Sequence, residues 1–162
     1  MATDFGGQVN FGLIKGDESL KTSGNIPVGA SEVFKVRSGK FIVDDGAGRI
    51  EVADQNDNGI NGWAIIDKDF TASSTEGADK LACYLGIGQV FSIPVYSGST
   101  ITEAALLAVW GTFIDLIVSS SYQYANIDAS TKDHLLVTDV FWNSLTGKGY
   151  LGVMINPAKV GL

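Results

Sequence analysis

The chain has 162 residues, of which 45% are hydrophobic and only 18% charged, with eleven basic residues against eighteen acidic ones for a formal net charge of −7. That length fits one domain with a sizeable core, and the acidic balance excludes a nucleic-acid backbone as a natural partner, since phosphates would be repelled. One cysteine and one histidine exclude an intrachain disulfide framework, a multi-cysteine metal site and a His-based metal cage.

Residues 1–30 are rich in Gly, Ser, Thr and Asn and hold no sustained periodicity. They read as an extended N-terminal arm with one short strand near Phe11-Gly-Leu-Ile14, either reaching a neighbouring subunit or simply fraying. Phe5 and Phe11 are the large apolar residues with which such an arm would make contacts. The first residues lack the basic start and apolar run of a secretory signal, so synthesis in a cytosol is expected.

From residue 31 onward the chain reads as a single β-rich domain, a small barrel or sandwich of about eight strands. Val33-Phe34, Lys40-Phe-Ile-Val43 and Arg49-Ile-Glu-Val52 are short β-runs separated by Gly and Asp turns, the pattern of hairpins. Residues 59–66, 82–85 and 89–96 supply further strands, and residues 67–80 form a polar loop. Cys83 sits in an apolar run and is expected to be a buried small residue rather than a reactive thiol.

One helix is predicted over residues 101–110. Thr100-Ile-Thr-Glu103 has capping-box spacing, and Gly111 closes the apolar run that follows. Leu106, Leu107 and Trp110 then share a face and are expected to be buried as a plug on a barrel end or open sheet. The apolar stretch 104–118 is shorter than the roughly 20 residues a bilayer span requires, so no membrane partner is expected. Three strands close the chain, around residues 111–118, 127–137 and 149–157. Tyr122-Gln-Tyr124 places two tyrosines on one side of a polar stretch; with Trp142 they are candidates for an interface, where Tyr and Trp are enriched, or for covering a barrel edge.

Chemistry-bearing patterns are thin. Residues 54–59 (Asp-Gln-Asn-Asp-Asn-Gly) match the first half of a calcium loop, with Asp54, Asn56 and Asn58 at alternate positions, but Ile65 stands where a bidentate Glu is needed, and such clusters are first of all turn formers. His134 has Asp133 beside it and serines at 119–121, yet no strained Gly-x-Ser-x-Gly elbow precedes a serine, and a turn-edge histidine is the expectation. The carboxylate pairs Asp44-Asp45 and Asp67 with Asp69 cannot be placed across a cleft, and Gly86-Ile-Gly88 is too short for a dinucleotide fingerprint. No cofactor and no enzymatic activity are expected.

Several pieces share order and texture with a known group: Gly-Lys-Phe-Ile-Val at 39–43, Asn-Gly-Trp at 61–63, Thr-Ala-Ser-Ser-Thr at 71–75, Val90-Phe-Ser-Ile-Pro-Val95, the Thr-Glu-Ala-Ala-Leu-Leu helix, Asp115-Leu-Ile-Val118 and Met154-Ile-Asn-Pro157. Across residues 30–160 the chain resembles the head-decoration (capsid cement) proteins of tailed bacteriophages. The resemblance implies a non-enzymatic virion structural protein, made in the host cytoplasm, that sits on the outer surface of the capsid head. There it would clamp neighbouring major capsid protein subunits, as a homo-oligomer and frequently a trimer. A carbohydrate-binding or host-attachment β-module of a phage fibre or collar is the competing reading, with Trp63, Trp142 or the Tyr122/Tyr124 pair as a stacking platform.

Overall fold

Runs of β-branched and aromatic residues become strands wherever Gly, Asp or Asn can turn the chain between them, and the sequence offers such turns about every ten residues. The computed structural model describes residues 11–17, 21–22, 26–85 and 88–161. Their strands are β1 (Leu13–Lys15), β2 (Ile26–Pro27), β3 (Val33–Phe34), β4 (Phe41–Asp44), β5 (Ile50–Val52), β6 (Gly62–Ile65), β7 (Phe70–Thr71), β8 (Lys80–Leu85), β9 (Val90–Ile93), β10 (Val95–Tyr96), β11 (Phe113–Ser119), β12 (Tyr122–Asn126), β13 (Leu135–Asn143) and β14 (Lys148–Ile155). One helix, α1 (Glu103–Ala108), lies between β10 and β11. The protein is mainly β, as expected, though with more and shorter strands than the sequence suggests. Among the described residues no helix is long and apolar enough to cross a membrane.

The largest sheet runs β1-β9-β14-β13-β11-β12-β10. Because β9 and β10 are one stretch of chain bent at Pro94, its second and last strands are continuous, and the sheet closes into a barrel. The closing seam is the parallel β10–β12 pair, with Ala125 N donating to Pro94 O at 2.9 Å and Ile127 N to Tyr96 O at 3.2 Å. Proline suits this corner because it fixes the bend and has no ladder N–H to waste. The barrel interior is filled by Val137, Leu151, Val153, Ile155, Ile114, Leu116, Leu135 and Ala125, all buried.

A second, antiparallel sheet has the order β2-β8-β6-β4-β5. Residues alternate across a strand, so its two faces serve different cores. Phe41 and Trp63 face the barrel, where Trp63 stacks on Phe91 (4.7 Å between centroids, 7° between planes) and Phe41 meets both rings edge-on. Ile42, Ala64 and Cys83 face the other way and pack with Val28, Phe34, Ile50 and Ala72 under the small β3–β7 ribbon. Cys83 is thus the buried small residue expected, and burial pushes its thiol up to about 12.

Four expectations are corrected. The described part of the 1–30 segment is built into the sheets: β1 pairs with β9, β2 with β8, and Phe11 and Val28 are buried. The polar loop 67–80 contains β7, whose Phe70 sits against Phe34. The helix is only six residues long, because Thr102 is still extended (φ −126°, ψ 161°) and its Oγ1 caps Ala105 N; Gly111 does follow its end, at φ +75°. Finally, only Leu106 enters the core. Leu107 and Trp110 are exposed, since the helix lies across β13 and β14 and so short a helix turns a single residue inward.

Candidate functional site

The second sheet is stapled to the barrel by buried polar side chains. Gln123, on β12, alternates inward between Tyr122 and Tyr124 and is 1% exposed. Its Oε1 accepts from Phe41 N (2.8 Å), and its Nε2 donates to Phe41 O (3.0 Å) and Ala53 O (2.7 Å). Its own backbone N–H donates to Ser38 Oγ (2.6 Å) and its carbonyl accepts from Gly39 N (2.9 Å). The approach is so close that a Cβ on Gly39 would come within 2.5 Å of Gln123 Oε1, which is why glycine stands there.

Lys40 is the second staple. Its Nζ, 5.3 Å from the centre of the Trp63 ring, donates to the carbonyls of Phe11 (2.6 Å), Val36 (3.0 Å) and Ser38 (3.1 Å), so all three ammonium protons are used. Burial lowers its pKa to about 7, opposed by the negative charge of Asp69. Through this residue the segment at Phe11 is fastened to the junction of the two sheets.

His134 is tied to the backbone rather than to a serine. It stands at the edge of the turn before β13, yet it is fully buried: Nδ1 accepts from Leu116 N at 3.0 Å and Nε2 lies 2.8 Å from the carbonyl of Asp57, to which it donates as the Nε2–H tautomer. Both ring nitrogens are thereby committed to backbone, and no serine is joined to them. Asp115 is likewise structural, accepting from the backbone N–H groups of Thr131, Lys132 and Asp133 at 2.8–3.0 Å.

Three of the four paired carboxylates are held by backbone N–H groups. Asp44 accepts from Gly46 N, Asp45 from Ala47 N and the Arg49 side chain, and Asp69 from Val36 N. In the 54–59 loop, Asp54 accepts from Asn56 N (2.7 Å) and Asn56 Nδ2 (3.4 Å), while Asn58 Oδ1 accepts from Lys132 Nζ (2.8 Å). Asp54, Asn56 and Asn58 are therefore occupied in shaping the turn and pairing with an ammonium, and a cation already stands where an ion would bring its charge. Among the described residues no three His, Cys, Asp or Glu side chains are grouped to hold a metal.

Two apolar surfaces remain outside. The first is a tyrosine rail: Tyr122 and Tyr124 stack at 6.3 Å (23°) and Tyr124 meets Tyr96 at 6.2 Å (42°), all three half-buried on the outer face of the barrel. Pairing of Ile117 with Tyr124 and Ser119 with Tyr122 continues that face onto β11. The structure thus brings the predicted Tyr122 and Tyr124 together and adds Tyr96, which no local pattern joins to them.

The second is an aromatic band where the β13–β14 hairpin reaches past its neighbours. Leu107, Trp110, Thr138, Asp139 and Val140 line a shallow groove of about 280 Å³. Val140 is shared with a second hollow formed by Phe141, Trp142, Asn143, Ser144, Leu145 and Tyr150. Trp142 is half-buried here against the core, whereas Leu145 at the hairpin tip is 95% exposed. Phe11 is not exposed: its ring packs edge-on against Tyr150 at 5.5 Å, which stacks on Phe141 at 4.6 Å. Phe5 lies outside the described residues.

No protein-family model matches the chain, and neither the curated proteins nor the solved structures contain a match.

Proposed function

We propose that this chain is a non-enzymatic structural protein of a phage virion that decorates the head and stabilises it by clamping neighbouring major capsid subunits. The observation that carries this reading is the pair of apolar faces, the tyrosine rail and the aromatic band, set on different strands of one body whose sheets are stapled together by buried polar bonds. A clamp needs two contacts on a stiff frame, because the second engagement then becomes intramolecular and the assembly opens only when both break. Aromatic side chains exposed on a protein of low charge are also the residues that interfaces favour. The resemblance of residues 30–160 to head-decoration proteins points the same way.

The test is co-sedimentation of the full chain with expanded heads. Binding that saturates at a fixed ratio to the major capsid protein, and falls at least tenfold in Tyr122→Ser/Tyr124→Ser, supports the reading. No binding by the folded wild type refutes it. A second reading, a carbohydrate-binding module, draws on the stacked geometry of the rail alone; saturable quenching of tyrosine fluorescence by an oligosaccharide, lost in the same double variant, would favour it.

A further inference from the structure

We infer that Asn58 is a site of self-modification, where the Gly59 amide nitrogen attacks the Asn58 side chain and converts it, through a cyclic imide and water, to aspartate and isoaspartate. The chain holds two Asn-Gly pairs, at 58–59 and 61–62, and glycine after asparagine permits this attack because no Cβ shields its backbone nitrogen. The chemistry balances with the chain and water alone. The Gly59 nitrogen gives its proton to solvent and bonds to Asn58 Cγ; the Cγ–Nδ2 bond breaks and ammonia leaves. Water then opens the ring at either carbonyl, giving aspartate or an isoaspartate whose main chain runs through the former side chain.

Three features single out the first pair. The nucleophile is uncommitted: among the described residues Gly59 N donates to no acceptor, although Ile60 N and Asn61 N beyond it donate to Lys159 O (2.9 Å) and Ile42 O (2.8 Å). Asn58 is exposed and lies on a bend outside any strand, so its side chain has room to turn toward the next nitrogen. Its carbonyl is also polarised. An ammonium group has only donors, so Lys132 Nζ, 2.8 Å away, faces Asn58 Oδ1, the atom on which negative charge collects as the nitrogen adds to Cγ. Lys132 is itself held in place, because its backbone N–H donates to the buried Asp115 at 2.8 Å and its Nζ reaches Asn56 O at 3.4 Å.

The second pair has the same two residues in the opposite setting. Asn61 Oδ1 accepts from Asp44 N at 2.9 Å, which holds the side chain against the end of β4. Gly62 is buried at the start of β6, paired with Ile42 on one side and Leu85 on the other. Turning Asn61 onto the Gly62 nitrogen would break that ladder.

Conversion of Asn58 adds a negative charge to the loop of Asp54 and Asp57 in a chain already at −7. Isoaspartate also lengthens the main chain by one carbon where Ile60 is tied to the C-terminal segment, through Ile60 N to Lys159 O and Gly161 N to Ile60 O (3.1 Å), and where Asp57 O meets His134. Aged copies therefore loosen where this loop clasps the barrel.

None of this depends on binding to a head. Tryptic digestion after incubation of the full chain in warm, neutral buffer yields a 50–68 peptide that carries both pairs, and its fragmentation in a mass spectrometer reads them separately. Residue 58 should gain one mass unit, with isoaspartate present, at least about tenfold faster than residue 61, and in urea the two rates should come within about threefold of each other. Lys132→Met should slow residue 58 about tenfold in the folded chain and leave the rate in urea unchanged, and Lys132→Arg should restore most of the loss. Equal rates in the folded chain, faster conversion at residue 61, no mass gain at residue 58, or a Lys132→Met variant that converts like the wild type would each overturn the assignment.

Discussion

Replacing Gln123 by alanine removes three hydrogen bonds at once and leaves Phe41 N and Ala53 O without partners at a site where both residues are fully buried, while Phe41 O keeps its bond from Ala53 N at 2.9 Å. An orphaned buried polar group costs about 1–3 kcal/mol, and part of that is recovered if water enters the space left by the side chain, so for the two groups a loss of about 3 kcal/mol is expected. Against a typical total of about 5–15 kcal/mol this is a large fraction, and in a chain of this size it corresponds to roughly 6–12 °C in Tm. Equilibrium unfolding in urea, followed by tryptophan fluorescence, measures it directly. Gln123→Glu sharpens the test at almost constant volume. A carboxylate can still accept from Phe41 N, but its second oxygen would stand where two carbonyls now meet a donor. That variant should be at least as unstable as the alanine at pH 7 and should recover as the pH falls, because the native state then takes up a proton that the unfolded chain binds more weakly. A loss below about 1 kcal/mol in Gln123→Ala would refute the claim that this residue staples the sheet to the barrel.

Lys40 should make stability depend on pH in the direction opposite to a salt-bridged lysine. Its native pKa of about 7 lies below the unfolded value of about 10.4, so between them the unfolded chain binds one more proton and the free energy of unfolding climbs with pH; Lys40→Met should flatten that climb. Trp110→Ala should lower stability by no more than about 1.5 kcal/mol, since the exposed ring forfeits one hydrogen bond to Thr138 O and little packing; a loss of 3–5 kcal/mol would place the ring in the core instead. The two-residue β11–β12 turn puts Ser120 and Ser121 at φ 51° and 65°, so Ser121→Gly should raise the urea midpoint, by about 1 kcal/mol of stability, and a fall would show that the serine is held there by bonds worth more than the strain.

Much of the β-framework was legible because strands and turns are local events. The runs at 41–43, 50–52, 90–96 and 149–155 carry β-branched and aromatic residues between Gly and Asp turns, and all became paired strands. What failed were judgements that depend on the partner surface. The 3.6-residue spacing of Leu106, Leu107 and Trp110 implied one buried face, but a six-residue helix crossing two strands buries only Leu106. Phe11 read as part of an arm because nothing local announces that Tyr150, 139 positions later, receives its ring. Lys40 and Gln123 were invisible as hubs, since their polarity argues for solvent until the facing carbonyls are known. Gln123 alone left a trace, in the alternation of Tyr122, Gln123, Tyr124 and Ala125, which puts the glutamine on the same side as the alanine.

On the proposed function this body sits on a phage head and clamps its subunits. Reconstruction of a virion carrying the wild-type chain tests it most directly. Density for the barrel is expected on the outside of the shell, where major capsid subunits adjoin, with Tyr96, Tyr122 and Tyr124 turned toward the shell. Density confined to the tail or fibres, or a shell bare of this protein, would contradict it.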